Sequence, residues 1–197
     1  MDAPNIPWVS PEEFLDMEEK SETKHHYFRG LVTPHEGEST AMAGGTPAHS
    51  FLSSNLSSEL RIALRKRNCR VANSDLMLQA GTAGLLTYPD VMVICGPLVR
   101  LPGKRNVITN PVFVAEVLSP STEARDRGEK AQEYRRTPSI KQYALLSQSE
   151  PLIEVHTRND DGSWRISEFD GLEATLDLTS LDCKIPLADL YEGVFDE

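Results

Sequence analysis

Little in this sequence would cross-link the chain, anchor it, or draw it broadly to a polyanion. It has only three cysteines in 197 residues, Cys69, Cys95 and Cys183. Their odd number and wide spacing suit neither a disulfide framework nor a zinc motif, so all three are read as reduced thiols, two of them in apolar strand-like runs. No apolar stretch approaches the roughly 20 residues of a membrane-spanning helix. The opening MDAPNIPWVS has no basic region followed by an apolar one. A soluble, cytoplasmic protein without membrane contact is therefore expected. Basic residues are scarce, with 20 Lys plus Arg against 30 Asp plus Glu and a net charge of −10. That excludes the wide positive field by which basic groove binders collect nucleic acid. It leaves room for a phosphate site built on divalent cations, whose carboxylate ligands add to the negative count. Two local basic clusters, RIALRKR at 61–67 and EYRR at 133–136, are read as solvated helix faces that could also meet a polyanion.

Apolar residues make up 39% of the chain, enough for one sizeable core, and a single domain over 1–197 is expected. Ser10 stands three residues before Glu13, a capping box ahead of a short amphipathic helix. HHYFRGLVTP then reads as a strand turning at a glycine into an N-terminal hairpin. From Pro47 to about Arg67, Phe51, Leu52, Leu56, Leu60 and Leu64 form a helical stripe. Three strand-like runs follow, CRVANSDLMLQ, TYPDVMVIC and NPVFVAEVLS, separated by Gly and Pro breaks. A second helix is expected from Asp126, capped through Glu129, to the Thr137-Pro138 stop. IKQYALLS returns as a strand, and LIEVHTR, SWRISEF and ATLDLTS read as a β meander. The fold class is α/β, bordering on α+β, with a mixed central sheet and a C-terminal β extension.

The informative anomaly is Glu116, a carboxylate within the apolar run FVAEVLS. A lone buried carboxylate costs several kcal/mol unless a metal, a cation or hydrogen bonds compensate it. Asp90 poses the same question in TYPDVMVIC. If the two runs are neighbouring strands, both carboxylates leave one sheet edge and can share a divalent ion such as Mg²⁺, with waters and phosphate oxygens completing its shell. The plainer alternative is a strand-entry aspartate and a half-buried glutamate paired with Lys or Arg.

TYPDVMVIC, FVAEVLSPST and DRGEKAQEYRR leading into IKQYALLS resemble, in content and in order, the Uma2 family of restriction-endonuclease-like proteins within the PD-(D/E)XK nuclease superfamily. The likeness runs from the N-terminal helix to the meander. It implies an αβββαβ core in which Asp90 and Glu116 bind Mg²⁺ or Mn²⁺, with the Val117 backbone carbonyl as a further ligand. The implied activity is hydrolysis of phosphodiester bonds, in DNA rather than RNA, and a homodimer would suit a double-strand cut. One element departs from the superfamily pattern: the lysine expected two residues after the glutamate is absent, since Val117 and Leu118 follow Glu116. Lys130, on the next helix, is the candidate replacement. The four-residue steps Asp126, Lys130 and Tyr134 share a helix face. Asp126 is read first as an N-cap, with a supporting site role left open, and Tyr134 as core or support. His49, at the start of the long helix, also fits the family pattern and could orient a water, a phosphate or a helix-end group. His25, His26, His35 and His156 have no zinc-like spacing. Ser119 to Thr122 could touch a phosphate or simply cap the helix. The rival reading is an interaction module, binding nucleic acid or protein, that keeps the nuclease fold without cleaving.

Overall fold

The structure, a computed structural model, describes residues 8–35, 45–81 and 84–195. Helix α1 (Pro11–Glu18) begins at the expected capping box. The Glu13 amide donates to Ser10 Oγ at 3.2 Å and the Ser10 amide donates to Glu13 Oε2 at 2.8 Å. Strands β1 (His25–Phe28) and β2 (Leu31–Pro34) form the N-terminal hairpin about Arg29-Gly30. Gly30, at φ +86°, abuts the Trp8 ring so closely that a Cβ would lie 2.2 Å from it.

Helix α2 (Pro47–Ala63) is the long helix. Leu52, Leu56, Leu60 and Leu64 are buried along it, whereas Phe51, counted in the stripe from the sequence, is 49% exposed beside them. The run CRVANSDLMLQ is two strands, β3 (Cys69–Asn73) and β4 (Met77–Ala80), which join different sheets. β5 (Leu85–Thr87), β6 (Val91–Cys95), the short β7 (Val107–Ile108) and β8 (Phe113–Leu118) follow. One continuous helical stretch comes next: α3 (Glu123–Arg125), a π-helical turn (Asp126–Lys130), and α4 (Ala131–Arg136). β9 (Gln142–Ser147), β10 (Leu152–Arg158) and β11 (Trp164–Asp170) complete the main sheet. β12 (Thr175–Leu178) pairs with β13 (Cys183–Pro186) rather than extending the meander, and α5 (Leu187–Leu190) ends the series.

The six-stranded sheet has the order β11-β10-β9-β8-β6-β3, with β8 and β9 parallel and the other pairs antiparallel. It is the expected mixed sheet, and α2-β3-β6-β8-α4-β9 traces the αβββαβ core. A second sheet, β2-β1-β5-β4-β7, is built largely from the hairpin and the β4-β5 insertion. Alternation along the strands divides the core. Val91, Val93, Ala115 and Val117 pack with α2 and the C-terminal hairpin, while Met92, Ile94, Val114 and Leu118 pack with Ala131, Tyr134 and Tyr143. Glu116 has the parity of Val114 and Leu118, so it projects to the face covered by the π turn and α4.

The cysteine reading needs correction. The antiparallel β3-β6 register sets Cys69 opposite Cys95, with Cα atoms 4.0 Å apart, and the two sulfurs are joined. Spacing along the chain hides a partnership that strand register creates. Cys183 is a free, buried thiol as expected. Among the described residues, no helix is long and apolar enough to cross a membrane.

Candidate active site

β6 and β8 run antiparallel with Val91 opposite Ala115. Continuing that register by one step sets Asp90, just before β6, opposite Glu116. The two are tied through the backbone: the Val117 amide donates to Asp90 Oδ2 at 2.8 Å, and the Asp90 amide approaches Glu116 Oε2 at 3.5 Å. On the other side of Glu116, Lys130 Nζ lies 3.3 Å from Oε1, and the Tyr134 hydroxyl donates to the same oxygen at 2.7 Å. Lys130 Nζ is also 2.7 Å from Asp126 Oδ1. The carboxylate in the apolar strand is thus met by an ammonium and a phenol. Breaking such a buried pair from one side costs about 3–5 kcal/mol, because the remaining charge is left uncompensated.

His49 approaches from the first turn of α2, with Nε2 3.2 Å from Asp90 Oδ2. Its position is fixed by Thr46, whose hydroxyl accepts from the His49 amide at 3.1 Å and donates to Gln148 Oε1. Gln148 in turn donates through Nε2 to the Leu118 carbonyl at 2.9 Å, tying the start of α2 to the end of β8. Nothing in the sequence marks Gln148 for this task, because it lies 102 residues from Thr46.

Burial pushes the Asp90 carboxyl up, but the His49 hydrogen bond and charge, the Val117 amide and the Lys130 charge outweigh it and hold Asp90 below its ordinary value. The carboxylate form is therefore favoured at neutral pH. Burial, with the nearby Glu116 charge, pushes the Tyr134 phenol well up, so it remains a donor.

The structure therefore brings Asp90, Glu116, Val117, Lys130, Tyr134, Asp126 and His49 into one cluster. Asp126 is not the N-cap the sequence suggested. The helix starts earlier, with the Thr122 and Glu123 amides both bonded to the Ser119 carbonyl. Asp126 lies inside the π turn, 1% exposed and paired with Lys130. Asp126 is thus held by Lys130 four residues on rather than serving as a cap, and Glu129 is not part of that pair. The hydroxyls of Ser119, Ser121 and Thr122 bond one another at 2.9 and 3.0 Å. Among the described residues, no group of three or more His, Cys, Asp or Glu side chains is arranged to hold a metal. What the cluster offers is two facing carboxylates with adjacent backbone, an ammonium beside one of them and an imidazole beside the other. Asp90 (side chain 10% exposed) and His49 (18%) form its accessible side, and Lys130 (1%) its floor.

Several known proteins are similar to this chain. The uncharacterized Synechocystis sp. (strain PCC 6803) protein slr1290 is 38% identical over 189 residues, covering 96% of this chain and 94% of that relative. A second protein of the same strain, sll1609, is 29% identical over 167 residues, covering 85% and 90%. A crystal structure from Anabaena variabilis ATCC 29413, described as a putative nuclease belonging to DUF820, superposes with a TM-score of 0.73 at 18% identity over 95% of this chain and 99% of that one. That likeness shows the shared fold. The family described as "Uma2: Putative restriction endonuclease" matches residues 11–188, and the chain belongs to it.

Proposed function

We propose that this protein is a divalent-metal-dependent nuclease that hydrolyses phosphodiester bonds, with DNA as its main substrate. The observation that carries the reading is the convergence of Lys130 on Asp90 and Glu116 at the ends of two paired strands, in a chain whose family is described as a restriction endonuclease family. Asp90 and Glu116, with the Val117 carbonyl, would hold Mg²⁺ or Mn²⁺. The donor set fits such an ion. Mg²⁺ takes one or two carboxylates and fills its remaining positions with waters and phosphate oxygens. A closed zinc site would demand four protein ligands. The three carboxylates of Asp90, Glu116 and Asp126 also outnumber the one ammonium of Lys130, which favours a cation and makes an incoming phosphate compatible with the site only once that cation is bound.

When bound, the ion supplies positive charge that polarises the scissile phosphate and makes a neighbouring water more acidic. The protein's own groups do the rest. His49 holds the Asp90 carboxylate in place, and Tyr134 does the same for Glu116. Lys130 places a compact charge where negative charge builds on the phosphate. A 5′-phosphate and a 3′-hydroxyl are the expected ends. A homodimer in the cytoplasm would allow paired cuts on a duplex.

The test is incubation of purified protein with supercoiled DNA, single-stranded DNA and RNA, with Mg²⁺ or Mn²⁺ and with EDTA, alongside calorimetric titration of Mn²⁺. Cleavage that depends on the ion and is lost in EDTA is expected. The buried Lys130 is already engaged by two carboxylates, which is what a non-cleaving module would also show. Absence of both Mn²⁺ binding and cleavage would put that interaction module first.

A further inference from the structure

The basic run at 61–67 divides into two groups on folding. Arg67 turns to the C-terminal segment, where its guanidinium donates to the Leu181 carbonyl and to Asp182. Arg61, in the last turn of α2, and Arg65, just beyond that helix, instead line an open cleft of about 400 Å³, which Arg70 joins from β3. Leu64, Cys69 and Val71 complete the lining, so the cleft has three arginines and no carboxylate. All three arginines are exposed. Arg70 uses one N–H on the Gly96 carbonyl, at 3.3 Å. Among the described residues, none of the three is ion-paired with an Asp or Glu, whereas Arg29, Arg67, Arg127 and Arg136 each have such a partner. The cleft is also separate from the carboxylate cluster. His49 and Arg61 stand in the first and last turns of α2, about 18 Å apart along its axis, and β6 covers about 17 Å from Asp90 to Cys95.

We propose that this cleft binds backbone phosphates of the nucleic-acid substrate, at a distance from the bond that is cut. The proposal rests on the nuclease reading and adds a second contact with the same substrate. Three features favour a polynucleotide backbone over other anions. Arginine presents a planar fork that pairs with phosphate oxygens two at a time. The lining has no side-chain carboxylate, amide or hydroxyl with which to read a base edge, so it recognises charge without sequence. The separation of about 17 Å from the carboxylates corresponds to about five nucleotide steps of 3.4 Å along a duplex strand, a distance that a polynucleotide covers. The cleft also reconciles a net charge of −10 with a polyanionic substrate, because the attraction is concentrated in one place rather than spread over the surface.

Fluorescence anisotropy of a labelled short DNA duplex, read in EDTA over a series of salt concentrations, isolates the cleft, because the carboxylate cluster then has no ion. Each arginine that neutralises a phosphate contributes about −0.9 to the slope of log affinity against log salt. Arg61→Ala, Arg65→Ala and Arg70→Ala together should flatten the slope by about 2.7 and weaken binding at low salt by about 10-fold or more. Gln at the same three positions keeps part of each stem without the charge and should reproduce the loss. Arg165→Ala removes one charge from β11, at the opposite edge of the sheet from β3, and should leave slope and affinity as in the parent. An unchanged slope in the triple variant, no binding by the parent, or a loss from Arg165→Ala equal to that from Arg61→Ala overturns the cleft. Arginines that serve only the carbonyl end of α2 would lower the melting temperature and leave binding alone when replaced, which overturns it too. Pyrophosphate binding as tight as that of the duplex would assign the cleft to a small phosphate ligand and overturn the backbone assignment. Cleavage in Mg²⁺ with an unchanged slope refutes the cleft alone. Arginine-dependent binding without cleavage supports the cleft and refutes the nuclease reading.

Discussion

Replacing Lys130 by methionine keeps most of the aliphatic stem and removes one charge from a site where the side chain is 1% exposed. The structure sets the size of the effect. The ammonium lies 2.7 Å from Asp126 and 3.3 Å from Glu116, so its loss leaves two buried carboxylates facing each other, a change of about 3–5 kcal/mol. Protonation limits the penalty. Neutralising one carboxyl of ordinary acidity, near 4, costs about 1.4 kcal/mol per pH unit, or roughly 4 kcal/mol at pH 7. A carboxyl whose pKa is raised in the folded variant makes the folded state the better proton binder, so the deficit grows as pH rises and shrinks as it falls. Urea unfolding of parent and variant should therefore show a gap of about 4 kcal/mol at pH 7 that closes to about 1 kcal/mol near pH 5. Adding Asp126→Asn should restore most of the stability at pH 7. It should not restore cleavage, which is expected to stay roughly 10²-fold down, the scale for losing one preorganised charge. A double variant that regains full cleavage, or a single variant whose stability gap does not change with pH, would refute the reasoning.

Asp90→Asn and Glu116→Gln should each abolish ion-dependent cleavage and weaken Mn²⁺ binding in titration, but they should differ in stability. The parent Asp90 carboxyl is held below its ordinary value, so it contributes stability that is complete above about pH 4 and lost as acid carries the pH through the lowered folded value. Asp90→Asn should accordingly melt below the parent at pH 7 and draw level with it in acid. Glu116→Gln leaves Lys130 paired with Asp126, and its unfolding free energy should fall within about 1 kcal/mol of the parent. Reducing Cys69-Cys95, which closes a separation of 26 residues, should lower stability by about 3.5 kcal/mol on loop-closure grounds, read from unfolding with and without reductant; an unchanged midpoint would mean the thiols are free in solution. Gly81 has φ +67°, and a Cβ there would meet Glu133 Oε2 at 1.8 Å. Gly81→Ala should destabilise by about 2 kcal/mol or more in the same assay.

Local signals in the chain were reliable where one residue type dictates one geometry. The Ser10-Glu13 box, the Leu52 to Leu64 stripe and the Thr137-Pro138 stop all lie where their chemistry requires. Glu116 was legible as a problem because an apolar strand has no cheap way to carry a charge, and the steps from Asp126 to Tyr134 pointed to one helical face. What could not be read depends on register and on distant partners. Cys69 meets Cys95, β12 meets β13, and Thr46 meets Gln148 only after the sheets assemble. Asp126 was misread because an aspartate near a helix start serves equally well as a cap or as the acid half of a pair with a lysine one turn on, here Lys130. His26 and His35 gave no sign because their link runs across the hairpin, nine residues apart, to no ligand spacing.

The π-helical turn means that the helix carries one residue more than a regular α-helix would use to span the same rise. Each residue of an α-helix advances the face by about 100°. Excising one residue from Asp126–Lys130, with Gly128 the natural choice because nothing lies within 4 Å of its would-be Cβ, would rewind the turn. The flanking turns would keep their places, because the surplus residue is taken up within the wide turn itself. Asp126, Lys130 and Tyr134, now four and eight positions apart, would stand three and seven apart, and seven steps of about 100° bring the face round to within about 20° of its start. The cluster therefore has a slack that a regular helix lacks: a single-codon deletion at an exposed, sterically indifferent glycine would close the wide turn while leaving the three side chains on one face.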